Sequence, residues 1–241
     1  RRNLIAEDEL PWETPTGLVY DSGDFAESLN QALALADQPG FAARKTAARE
    51  KGKLLGFGYA VYTEPDGFMD NRVSLQFDPS GMLTMTTTGQ TNGQGHVTTF
   101  SQIVASQLGL PLAGIRVLQG DTDRIGPGSG TGGSRTTTVT GGAIVESAEI
   151  IIGKARRIAA QLLETSTDDL EFNSGQFTIA GTDRTISLTE VARAAFNRDS
   201  VPPGDGLGLE ASAHYVARAY SYPSGCHVAE VEIDRDTGHV A

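Results

Sequence analysis

Gly89–Phe100 reads GQTNGQGHVTTF. Glycines and side-chain amides crowd a stretch that lies between two regular patterns. Before it, Met82–Thr88 (MLTMTTT) has strand character. After it, Phe100, Ile103, Val104 and Leu108 recur at helical spacing and stop at Gly109. Such a loop is poor core material, but its place at the mouth of a helix gives it another use. The first turn of a helix has free backbone N–H groups and the positive end of the dipole. Glycine lets that backbone come close to a ligand.

The same plan recurs downstream. Residues 114–121 (GIRVLQGD) read as a short strand, and a glycine-dense loop follows from Gly126 to Gly133. Residues 134–164 then read as one long helix with Ser134 as its cap. Two helix mouths of this kind suggest a large anionic ligand gripped at two places. Gln90, Asn92, Gln94 and His96 add donors in the first loop, and Ser134, Arg135, Thr136 and Thr137 follow the second. Neutral donors plus one guanidinium suit a heterocycle with many edge groups and a phosphate. The plainer alternative is that each loop is only a turn.

Outward from these loops, residues up to about Gly23 read as irregular. Residues 24–38 read as a helix with Phe25, Leu29 and Leu33 on one face and Asp24 at its N-cap. Residues 41–53 form a second, polar-faced helix ending near Gly52. The period then changes to two, with strands in 54–64, 71–81 and 82–88, the last two joined at Pro79-Ser80-Gly81. After the long helix come a hairpin (170–181), a short helix (184–197), a loop (204–208) and two closing strands (212–223 and 227–236). This irregular interleaving predicts an α+β fold of mixed sheets packed with helices. Two parts are expected: an irregular and helical segment, 1–52, and a larger domain, 53–241. The chain opens RRNLI without a methionine and stops where a strand reaches a turn at Asp234–Gly238, so it reads as a fragment of a longer protein.

Composition narrows the function. The chain has 241 residues, 39% hydrophobic and 20% charged, enough for a sizeable core. A net charge of −11 argues against nucleic acid as a partner. No apolar run is long enough to span a membrane. One cysteine, Cys226, rules out an internal disulfide and fits the cytoplasm. With four scattered histidines, a metal held by protein side chains is not expected.

Several motifs fall short. Gly128, Gly130 and Gly133 match G-x-G-x-x-G, but Asp121–Pro127 separate them from the strand and no ribose-binding acid follows at the right distance. No Walker sequence or G-x-S-x-G elbow is present. Asp121 and Asp123 read as a turn held by Asx hydrogen bonds, His96 as a positioning donor, and Cys226 as a small apolar residue. His214, His227 and His239 lack ligand spacing.

Taken in order, residues 89–111, 117–143 (VLQGDTDRIGPGSGTGGSRTTTVTGGA) and 222–238 (YPSGCHVAEVEIDRDTG) resemble the molybdenum-binding large subunit of the xanthine oxidase family. The aerobic carbon monoxide dehydrogenase type, with its aldehyde and N-heterocycle hydroxylases, is the most similar in flavour. The resemblance spans essentially the whole chain. It implies a molybdenum–molybdopterin cofactor, in bacterial members commonly as the cytosine dinucleotide. Gln94, Gly95 and His96 would contact it from the first loop, and Thr131, Gly133, Ser134 and Arg135 from the second. It implies hydroxylation with water as the oxygen source, an FAD-binding medium subunit, a [2Fe-2S] small subunit and no protein ligand to the metal. Carbon monoxide dehydrogenases usually carry Tyr where Gly132 stands, which leaves the substrate open. The catalytic glutamate and the substrate loop are expected outside 1–241, so no catalytic residue is nominated, and the isolated chain is expected to be inactive and need not hold cofactor. Two other classes stay open: a non-catalytic nucleotide-binding module, and a structural fragment with disordered loops.

Overall fold

The computed structural model describes residues 3–241. Two short strands, β1 (Trp12–Glu13) and β2 (Val19–Tyr20), pair where the sequence reads as irregular. Thr14 makes this possible: its N–H donates to Leu18 O at 2.7 Å and its Oγ1 accepts from Leu18 N at 2.9 Å. Helix α1 (Phe25–Leu35) is capped by Asp24, which accepts from Glu27 N at 2.8 Å, and it buries Phe25 and Leu29. Helix α2 (Phe41–Glu50) leads into β3 (Lys53–Thr63). Then come β4 (Asp70–Phe77), β5 (Leu83–Thr87), α3 (His96–Leu108), β6 (Ile115–Leu118) and α4 (Thr136–Leu162). Strands β7 (Leu170–Asn173), β8 (Gln176–Ile179) and β9 (Thr185–Ser187) precede α5 (Leu188–Ala194), which opens on a Ser187/Glu190 capping box. Strands β10 (Glu210–Val216) and β11 (Ser224–Asp234) close the chain.

The contacts divide the chain into two units, each with its own sheets. One holds the residues to Asp66 together with Tyr220–Ala241; the other is Gly67–Ala219. Within the first of these, β3, which follows the boundary expected at residue 52, pairs along its whole length with β11. Beyond β11, Asp234 Oδ1 accepts from Asp236 N at 3.0 Å and Thr237 N at 2.9 Å, and the chain turns back so that Val240 pairs with Ile233.

In the unit 67–219 the main sheet has the order β10-β4-β5-β6. β10 and β5 run antiparallel to β4, while β6 runs parallel to β5 through the crossover helix α3. β4 alternates Asn71, Val73, Leu75 and Phe77 inward. Against that face pack Phe100, Val104 and Leu108 of α3 and Ile144, Ala148, Ile151, Ala155 and Ile158 of α4, whose spacing of three and four draws one apolar stripe. The antiparallel sheet β7-β8-β9 adds Leu170 and Phe177 to the same core. The fold class is therefore α+β, with one mixed sheet. Among the described residues, no helix is long and apolar enough to cross a membrane.

Candidate functional site

Strand direction gathers the site. β5 and β6 are parallel neighbours, so the loops that leave their C-terminal ends, 88–95 and 119–135, emerge on the same edge of the sheet. β4 is antiparallel to β5 and β10 to β4, so the start of β4 and the end of β10 reach that edge as well. Thr131 Oγ1 donates to Gln90 O at 2.7 Å and ties the second loop to the first.

The first loop rests on a buried polar anchor. Asn71 is fully buried; its Nδ2 donates to Thr140 Oγ1 at 2.6 Å, and its Oδ1 accepts from Thr88 Oγ1. A Cβ at Gly89 would sit 2.9 Å from Asn71 Nδ2 and 3.1 Å from Thr136 Cγ2, so only glycine allows this approach. Gln94 Oε1 accepts from Asn92 N at 2.5 Å and Thr91 Oγ1 at 3.1 Å, while no hydrogen bond among the described residues takes its Nε2. His96 begins α3, 5% exposed, with its ring 4.7 Å from that of Phe100. Burial pushes its pKa below the ordinary value, against a hydrogen bond with the Gly89 backbone, and Nδ1 is buried without a partner.

In the second loop the structure departs from the sequence reading twice. Ser134 does not cap α4: it has φ 53° directly after Gly133 at φ 58°, and Arg135 takes the N-cap position without a side-chain cap bond. The Arg135 guanidinium, read as a phosphate donor, faces inward and is 6% exposed. Its Nη2 donates to Ser129 O at 2.5 Å and its Nη1 to Met69 Sδ at 3.1 Å; it lies 5.4 Å from the Phe68 ring centroid, and Nε is buried without a partner. Ser129 Oγ donates to Asp70 Oδ1 at 2.8 Å, and His214 Nε2 meets Asp70 Oδ2. His214 first and Ser129 second hold the Asp70 carboxyl below its usual range.

Between the loops lies a hollow of ≈ 240 Å³. Gln94 and His96 line one side, Thr131, Gly132 and Ser134 the other, and the first turn of α4 closes it. A neighbouring hollow of ≈ 410 Å³ runs between Thr88 and Gln90 and residues 120–122 and 125–128. Of the residues singled out in sequence, Gln94, His96, Thr131 and Ser134 meet in one hollow, and Gly95 and Gly133 shape its two loops at φ 80° and 58°. Phe68, Met69, Asp70, Asn71 and His214 were missed, because only strand order brings them here. Asp121 forms the expected Asx turn, accepting from Asp123 N at 3.1 Å. Cys226 is half-buried in β11. Among the described residues no cluster of His, Cys, Asp or Glu could hold a metal.

Two observations test what would fit. At Gly126 and Gly132 the backbone has ordinary φ and a Cβ would touch nothing within 4 Å, so the chain's own packing does not require glycine there. The donors around the smaller hollow are an amide, hydroxyls and the start of a long helix, a set suited to a large, edge-rich anion.

Residues 31–241 match the family described as a molybdopterin cofactor-binding domain. The chain is 35% identical over 244 residues to 6-hydroxypseudooxynicotine dehydrogenase complex subunit gamma of Paenarthrobacter nicotinovorans, covering 99% of this chain and 31% of that one. It is 35% identical over 253 residues to the carbon monoxide dehydrogenase large chain of Hydrogenophaga pseudoflava, covering 98% and 31%. Among solved structures, quinoline 2-oxidoreductase from Pseudomonas putida 86 matches with a TM-score of 0.88 at 30% identity, over 99% of this chain and 32% of that one. The chain spans 31% of the length of these two curated relatives.

Proposed function

The chain belongs to the family of molybdopterin cofactor-binding domains, and from that premise we propose that it is the cofactor-holding part of a molybdenum hydroxylase or dehydrogenase. The observation that carries this reading is the hollow shared by Gln94 and His96 with Thr131, Gly132 and Ser134. When bound, the molybdenum–molybdopterin group supplies the two-electron oxidation of a substrate carbon, with water as the oxygen source.

The chain's own residues bind and orient. Gln94 offers its Nε2 donors, Thr131 lines the hollow while its hydroxyl ties the second loop to Gln90 O, Ser134 lines the same side, and the open positions at Gly126 and Gly132 let backbone approach the ligand. Burial favours the neutral form of the His96 ring, which lines the hollow beside Gln94. Arg135 acts behind the surface by holding the loop. The anchor of Asn71, Thr88 and Thr140 keeps the first loop in register with α4. We assign no catalytic base to this chain. The finer reading is the cytosine dinucleotide form of the cofactor, in a cytoplasmic enzyme completed by an FAD-binding medium subunit and a [2Fe-2S] small subunit. Its substrate would be carbon monoxide, an aldehyde or an N-heterocycle.

The test is to produce the chain in a bacterium that makes the dinucleotide cofactor, then analyse the purified protein for molybdenum, pterin fluorescence and CMP released by acid. Pterin with equimolar CMP is expected, and Gln94→Ala with Thr131→Val should lower occupancy about tenfold. Pterin without CMP overturns the dinucleotide form alone. CMP or ATP held without pterin favours a nucleotide-binding module, and finding none of the three overturns the reading that this chain holds the cofactor by itself.

A further inference from the structure

Loop 126–133 is not shaped by its glycines alone. Three consecutive side chains ahead of and at the start of β4 reach it. The Phe68 ring lies against Gly133, where a Cβ would come within 2.5 Å of Phe68 Cζ, and it also faces the Arg135 guanidinium. Met69 Sδ accepts from Arg135, and Asp70 accepts from Ser129. Arg135 then donates to the carbonyls of Ser129, at 2.5 Å, and Gly130, at 3.4 Å. The two ends of the stretch 129–133 are therefore held from one tripeptide. In an extended strand successive side chains alternate faces. Met69 at φ 67° breaks that alternation, which lets all three neighbours meet the same loop. From the end of β10, His214 holds the second oxygen of Asp70 and fixes its carboxylate plane.

We propose that Phe68, Met69, Asp70 and His214 are positioning residues for the cofactor: they cast the backbone of loop 126–133 in the form that meets it. What the loop then holds rests on the cofactor reading above. The tripeptide acts through Ser129 and Arg135.

Hydrogen exchange on the full chain, with and without added molybdenum cofactor, tests this. Asp70→Ala and Ser129→Ala should each speed exchange in residues 126–135 about tenfold, as loss of a charge-assisted hydrogen bond implies. Exchange in β7–β9 and the second half of α4 should stay unchanged. Ser129 sits in the loop itself, so its variant leaves the core intact. Asp70→Asn keeps an acceptor for Ser129 Oγ and should recover most of the native pattern. Cofactor affinity, read from pterin fluorescence, should fall about tenfold in both alanine variants, and the double variant should be no weaker than the worse single. Unchanged exchange at 126–135 in both alanine variants overturns the proposal. So does faster exchange with unaltered affinity, or a double variant whose penalty is the product of the singles. If the native chain binds no cofactor, the cofactor reading fails instead, and the exchange arm still decides whether the tripeptide shapes the loop.

Discussion

A neutral imidazole is the form that the surroundings of His96 favour. Its ring is packed on Phe100 with Nδ1 buried and unpartnered, so adding a proton would place a charge where water cannot reach it. The sign follows. The folded pKa lies below the ordinary 6.5, so the unfolded chain takes up a proton first as pH falls. Stability linked to His96 is full above the ordinary value, declines as pH drops toward the folded one, and levels off below it. Thermal unfolding at pH 7.5 and 5.0 should therefore show a loss on acidification that is smaller in His96→Leu; an equal loss in both would place the dependence elsewhere. The place of His96 at a helix entry after glycines was legible in the sequence. Asp70 and His214 were not: they lie 144 residues apart, and only the antiparallel pairing of β4 and β10 brings them together. Arg135 was found but its direction was not, since a guanidinium can serve a phosphate or backbone carbonyls and the sequence does not say which is nearer.

Single elements were more legible, because periodicity and breakers are local. Asp24 caps α1 and Gly109 ends α3 in the left-handed region, both as read. The start of α4 was misread because two successive left-handed residues, Gly133 and Ser134, carry the chain past the expected cap. Within α4 two glycines look alike in sequence and differ in structure. A Cβ at Gly142 would lie 2.7 Å from the Tyr215 ring, whereas one at Gly153 meets nothing within 4 Å. Gly142→Ala should cost about 1–3 kcal/mol through overpacking. Gly153→Ala should stabilise by roughly 0.5–1 kcal/mol, as a helix interior gains from losing backbone freedom in the unfolded state. Denaturant unfolding of the two variants checks both signs, and a stabilised Gly142→Ala would contradict the packing of α4 on β10.

At the scale of the whole molecule, the α+β class could be read from the irregular order of patterns, but strand order could not. Parallel pairing of β5 with β6 and the long-range pairing of β3 with β11 depend on contacts that no local window contains. Those pairings also distribute the core unevenly. Among the described residues, the buried apolar side chains of the unit formed by residues to Asp66 and 220–241 are Phe25, Leu29, Ala48 and Tyr222, while the extended cluster from Val73 to Leu209 lies in Gly67–Ala219. Each fully buried large apolar side chain contributes about 1.5–3 kcal/mol, so the first unit has much less to resist opening. Amides of β3 and β11 should then exchange at lower free energy than those of β4, β5 and α4. Phe25→Ala, at a cost of about 3–5 kcal/mol, should speed exchange in β3 and β11 while β4 and β5 keep their protection. If instead all these strands lose protection together in that variant, the two units open as one, and the division drawn from the contacts has no energetic meaning.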